Sequence, residues 1–168
     1  LMLLLALVVS ANAQLTIMVK IGDQLWVDYP DSKLTIAPSD EVLIGVMDMF
    51  GDAKPGFLAL GLTYGLGSLN ADGASTLDGV TAAMTDDELQ AESLGVQNPF
   101  ISMDVADPPA GMLIRDVLFH CDGPGDVTIA LVDENGLVQD TQVIHQVPEP
   151  MTMALLGLGG LVLGFRKR

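Results

Sequence analysis

The chain has 168 residues, with 22 Asp and Glu against 7 Lys and Arg, for a formal net charge of -15. The length suits one domain plus processing segments. The charge excludes a nucleic-acid binder, because phosphate recognition needs clustered Lys and Arg, and a single cysteine, Cys121, excludes an internal disulfide.

The N-terminus reads LMLLLALVVSANAQ. Leu1 to Val9 carry no charge, and Ala11-Asn12-Ala13 fits the A-x-A pattern of a secretory cleavage site, with the cut after Ala13. The apolar run is too short to span a bilayer. Residues 1–13 therefore read as the helix of a signal peptide. No basic residue precedes the run and the first residue is Leu, so the start of this peptide is expected before Leu1. Export then proceeds through the Sec machinery.

Residues 14–146 alternate with period two. Leu15, Ile17, Val19 and Ile21 share one strand face, and Leu25, Val27 and Tyr29 continue the pattern against Trp26 and Asp28. Leu34 and Ile36 alternate with Lys33 and Thr35. The stretch DEVLIGVMDM is apolar on both faces, as in a central strand. Turn signals at Gly22-Asp23, Pro30-Asp31-Ser32 and Pro38-Ser39-Asp40 separate these runs. Their spacing of roughly 8–12 residues predicts an antiparallel β-sandwich.

Phe57 to Tyr64 forms a further strand, followed by an exposed tract rich in Gly, Asn, Asp and Ser. One short helix is expected over Asp86 to Leu94, with Thr85 and Glu88 as a capping box and Gly95 as the stop. In GMLIRDVLFHC, Leu113, Arg115, Val117 and Phe119 alternate with Ile114, Asp116, Leu118 and His120. Val127, Ile129 and Leu131 then alternate with Thr128, Ala130 and Val132. Asn135-Gly136 signals a two-residue hairpin turn. The last three strands read as a meander.

No catalytic constellation is visible. His120 and Cys121 are neighbours, so on a strand they face opposite ways and cannot share a metal. His145 reads as an exposed residue at a strand end. No G-x-S-x-G, H-E-x-x-H, P-loop or paired-cysteine pattern occurs. The many carboxylates leave a glycosidase pair open by count alone, since such a pair is defined by its separation across a cleft. Trp26, Tyr29 and Tyr64 are the Trp and Tyr side chains that could stack on a sugar. The stretches DENG, at Asp133, and LNADGAST, at Leu69, share fragments of calcium loops without the full spacing, so loop-bound calcium is a weak alternative to no cofactor.

The chain ends in VPEPMTMALLGLGGLVLGFRKR. Met151 to Phe165 are uncharged. As a helix they would rise about 22 Å at 1.5 Å per residue, short of a bilayer core of about 30 Å. Arg166, Lys167 and Arg168 would hold the cytoplasmic side. Pro148 and Pro150 keep the preceding segment extended and open to a protease. Together, Pro148-Glu149-Pro150, the apolar helix over 151–165 and the basic tail over 166–168 resemble the PEP-CTERM sorting signal, here residues 147–168. The resemblance implies processing at the Pro-Glu-Pro motif by an exosortase at the inner membrane of a Gram-negative-type bacterium. It also implies delivery to the cell surface or an exopolysaccharide matrix. The sandwich resembles cohesin-like and carbohydrate-binding jelly-roll domains of secreted bacterial proteins in strand count and length, which speaks to fold alone.

The sequence thus points to a non-enzymatic, exported surface or biofilm-matrix protein. A polysaccharide- or protein-binding module is the first alternative, and a small hydrolase the last.

Overall fold

The computed structural model describes residues 15–29, 33–37, 40–51, 56–106 and 110–147. The expected signal helix, its cleavage residues Ala11 and Ala13, and the sorting tail from Pro148 to Arg168 lie outside the described residues.

Among the described residues, twelve strands form two packed sheets, as the alternation predicts, and one helix accompanies them. The first sheet contains β1 (Leu15–Ile21), β2 (Val27–Asp28), β4 (Val42–Asp48), β6 (Gly67–Asn70), β7 (Ser75–Thr76) and β10 (Gly111–Cys121). Its order is β2-β1-β4-β10-β6, with β7 also on β10. The second sheet has the order β3-β12-β11-β5-β9-β8. It comprises β3 (Lys33–Ile36), β5 (Gly56–Tyr64), β8 (Val80–Thr85), β9 (Phe100–Val105), β11 (Gly125–Asp133) and β12 (Val138–Gln146). All described pairings are antiparallel except β3 on β12.

The inner faces make one core. Ile17 and Val19 from β1, Ile44 and Val46 from β4, and Val117 from β10 meet Leu60 from β5, Ile101 and Met103 from β9, Ile129 and Leu131 from β11, and Ile144 from β12. β4 sits between β1 and β10, which is why its centre is apolar throughout. Leu34 and Ile36 point inward while Lys33 and Thr35 point out, as their alternation predicts.

Four expectations change. First, β10, β11 and β12 are not a meander, because β10 lies in the first sheet and the other two in the second. Second, β10 does not alternate strictly. Its register against β4 breaks between Met112 and Ile114 and again between Ile114 and Val117, and Asp116 adopts φ 63°. Leu113 and Ile114 are consequently both buried, and Arg115 is exposed instead of sharing the face of Leu113. Third, Leu25 and Val27 are 84% and 38% exposed. β2 pairs over two residues at the sheet edge, too briefly to hold an inward face. Fourth, Asn135-Gly136 does not form a two-residue turn. Gly136 takes φ 73° in a longer loop, with its N–H donating to the Asp133 carbonyl at 2.9 Å.

The helix α1 spans Glu88–Leu94. Its N-cap is Asp87, whose Oδ1 accepts from the Gln90 N–H at 3.0 Å, and not Thr85. Thr85 still belongs to β8, and its hydroxyl donates to Ser102 Oγ on β9. Gly95 ends the helix at φ 70°, as expected. α1 and the segment after it cover the outer face of the second sheet. Ala91, Leu94, Val96 and Phe100 pack there on Ala59, Ala130 and Val132 in a second, smaller core. This explains why Ala130 and Val132 are buried although they face away from the main core. Gly61 makes the approach possible, since a Cβ there would lie 2.9 Å from Val96 Cβ and 3.1 Å from Phe100 Cβ.

Candidate functional site

The polar residues singled out in the sequence do not converge. His120 is exposed, with Nδ1 3.0 Å from Asp122 Oδ1. Cys121 is half-buried, and that burial, then the charge of Asp122, pushes its thiol up from the ordinary range. A raised thiol pKa lowers the thiolate fraction that a nucleophile needs. Among the described residues, no three of His, Cys, Asp and Glu are grouped to hold a metal ion. The carboxylate of Asp133, in the loop that resembled a calcium fragment, is turned onto its own backbone. Its Oδ1 accepts from the N–H groups of Asn135 and Leu137 at 2.9 and 3.0 Å. Asn70 does the same for the Asp72 N–H at 2.7 Å. Tyr64 is 66% exposed at the end of β5, while Trp26 is half-buried over Gly45 and Tyr29 packs on the main core.

One polar cluster was not visible in the sequence. Lys33 on β3, Asp126 on β11 and His145 on β12 meet on the outer face of the second sheet. Lys33 Nζ lies 2.6 and 2.7 Å from the two Asp126 oxygens. His145 Nδ1–H donates to Asp126 Oδ1 at 2.5 Å. These bonds, Lys33 first and His145 second, hold the Asp126 carboxyl below its ordinary range. His145 is therefore not simply exposed, since it stands opposite Asp126 in the β11–β12 ladder. The cluster depends on the parallel pairing of β3 with β12, which no short turn announces in the sequence.

The cluster also lies beside the last described residues of the chain. β12 is paired on both sides to its last residue, with Gln146 opposite Gly125 of β11 and Ile36 of β3. The Val147 N–H still donates to the Ile36 carbonyl at 3.1 Å. Gln146 is buried at 8% exposure, and its Oε1 has no hydrogen-bond partner among the described residues. The fold thus runs without a linker to the residue before Pro148.

Residues 146–168 match the family model of the PEP-CTERM protein-sorting motif. The chain ends in a PEP-CTERM sorting signal. Such a signal marks a protein for export and for processing by an exosortase. The PEP-CTERM match begins at Gln146, the last residue of β12, so motif and fold share that residue. No curated protein matches the chain in sequence. Among solved structures, the chain is similar to a non-cellulosomal cohesin from the archaeon Archaeoglobus fulgidus. That match has 15% identity and a TM-score of 0.41, covering 84% of this chain and 97% of the cohesin. It is also similar to a chain of a type I cohesin–dockerin complex from Clostridium thermocellum, at 12% identity and a TM-score of 0.41, covering 79% and 99%. No helix among the described residues is long and apolar enough to cross a membrane, and the expected span over 151–165 lies outside them.

Proposed function

We propose that this chain is an exported, non-enzymatic protein of the cell surface or exopolysaccharide matrix, delivered by its PEP-CTERM tail. Residues 1–13 direct Sec export and are removed after Ala13. Residues 151–165 then hold the protein at the inner membrane, with Arg166, Lys167 and Arg168 on the cytoplasmic side. An exosortase cuts at Pro148-Glu149-Pro150 and frees the sandwich. Residues 14–147 carry 21 acids against 4 bases, a charge that keeps an extracellular domain soluble and apart from like molecules.

The observation that carries this reading is the match of residues 146–168 to the PEP-CTERM motif, starting at the last residue of β12. The test is expression in a host with its exosortase intact and in one with it deleted. The reading expects the sandwich in the extracellular fraction in the first and in the membrane fraction in the second. Equal release from both hosts contradicts it.

A second reading, a module that binds polysaccharide or protein, is favoured by one observation. The outer face of the first sheet has no helix over it among the described residues, and it carries half-buried Met18, Leu43, Met47, Met112 and Trp26. Pull-down on the host's own exopolysaccharide, repeated with Trp26→Ala, separates the two readings.

A further inference from the structure

The junction between fold and tail fixes which end of the sandwich faces the membrane. Val147 is tied to Ile36, and Met151 begins the uncharged stretch. Three residues, Pro148 to Pro150, lie between them. Fully extended, the four Cα–Cα steps from Val147 to Met151 reach at most about 14 Å. The headgroup layer on each side of the hydrocarbon core is itself roughly 5–7 Å thick. The extended tether clears that layer by at most about 9 Å, so this end of the sandwich is held at or just above the surface.

The same end gathers the turn after β1 (Gly22 to Gln24), the approach to β4 (Asp40 and Glu41), the β5–β6 connection (Gly65 and Leu66) and the β10–β11 turn (Asp122 to Pro124). These segments are linked in two pairs. Gly22 N–H donates to the Glu41 carbonyl at 3.0 Å, and Asp122 N–H donates to the Leu66 carbonyl at 3.1 Å. Leu66 lies beside Gly123, two residues before Gly125, which faces Gln146. Leu66 is 69% exposed and Leu25, just past the first turn, is 84% exposed.

We propose that, before processing, this end of the sandwich is seated in the headgroup layer of a zwitterionic bilayer, with Leu66 and Leu25 against lipid. The inference rests on the reading that residues 151–165 insert into the membrane. Charge selects the kind of lipid. Asp23, Asp40, Glu41 and Asp122 are all exposed at this end, so an anionic leaflet repels it and a headgroup layer without net charge does not. Release by the exosortase then removes the covalent tether that holds the acidic end at the surface.

The test uses the full chain with Cys121→Ser, reconstituted in phosphatidylcholine vesicles without any protease. A fluorophore is placed at Leu66→Cys or, as a control, at Leu137→Cys. Leu137 is 62% exposed and sits at the other end of the nine-residue β12, about 27 Å away at 3.3–3.4 Å per residue. Headgroup-attached nitroxide should quench the probe at 66 and leave the probe at 137 bright. Exchange of half the lipid for phosphatidylglycerol at low salt should weaken the quenching, and added salt should restore it. A twelve-residue Gly-Ser insert between Val147 and Pro148 should abolish the quenching while flotation with vesicles persists. Flotation without quenching at 66, or quenching that survives the insert, overturns the seating and leaves the anchor standing. A chain that does not float overturns the anchor and the seating together.

Discussion

Asp140 Oδ2 accepts a hydrogen bond from the Ile17 backbone N–H at 2.6 Å, across 123 positions of sequence and from one sheet to the other. β3 reaches along β12 only from Val143 to Gln146. β2 covers β1 only at Met18 and Val19. Each sheet edge is therefore bare beside the other, and the Asp140 side chain fills the gap. Replacing Asp140 by Ala leaves the part-buried Ile17 N–H without its acceptor, at a cost of about 1–3 kcal/mol. Asp140→Asn keeps an acceptor oxygen and should lose less. Urea unfolding of the two variants against the parent gives the comparison, and equal midpoints for all three contradict the assignment.

Asp28 stands on β2 at the same edge. Burial first, and the charge of Asp140 second, push its carboxyl above the ordinary range. A carboxyl raised in the folded state stabilises the fold fully below its unfolded pKa and loses that contribution as pH rises through the folded value. At neutral pH the charged Asp28 therefore works against folding. Asp28→Asn should raise the thermal midpoint at pH 7, and the gap from the parent should close as pH falls into the carboxylate range. An Asn variant that is less stable at pH 7 sinks this account.

Asp126 has the opposite sign. Its carboxyl is held down by Lys33 and then His145, so its contribution is present above the unfolded Asp pKa and disappears as pH falls through the depressed folded value. The groups are well exposed, with side-chain accessibilities of 46% for Lys33 and 40% for Asp126, so solvent and salt screen the effect. Lys33→Ala should shift the acid limb of a stability–pH curve upward in low salt, with the difference shrinking in high salt. A shift insensitive to salt points to lost β3 packing instead.

Gly61 lets the segment after α1 close on the second sheet. A methyl group at this position meets Val96 and Phe100 below ordinary contact distance. Gly61→Ala should cost about 1–3 kcal/mol through overpacking. It should also speed hydrogen exchange in α1 more than in β11, because the second core is the one that opens. Uniform loss of protection across both contradicts that order.

Much of the sandwich was legible because inward alternation is a local signal. β1, β3, β4, β5 and β11 follow from their apolar spacing, and Gly95 ends the helix where its residue type says. What failed was non-local. The bulges of β10 arise where it must pair with β4 while β7 joins its other side, a constraint absent from GMLIRDVLFHC itself. Ala130 and Val132 fall on the face opposite Ile129 and Leu131, and packing with α1 and the segment after it buries them, which their own stretch does not announce. β8 carries too much Thr and Ala for alternation to stand out, while β9 does alternate, with Ile101, Met103 and Val105 inward against Ser102 and Asp104. The helix cap moved from Thr85 to Asp87 because Thr85 is still committed to β8. The Lys33–Asp126–His145 cluster joins three strands through one parallel ladder, and no stretch of sequence contains it. The tail was the reverse case, since a linear motif needs no partner elsewhere in the chain to be read.

The account stands most directly on where the finished protein ends. Intact-mass analysis of the protein recovered from the extracellular fraction of an exosortase-positive host reads both ends at once. The predicted species begins at Gln14 and stops at or near the Pro148-Glu149-Pro150 motif, with the fifteen uncharged residues and the basic tail gone. An extracellular species whose mass still includes Arg168 contradicts it.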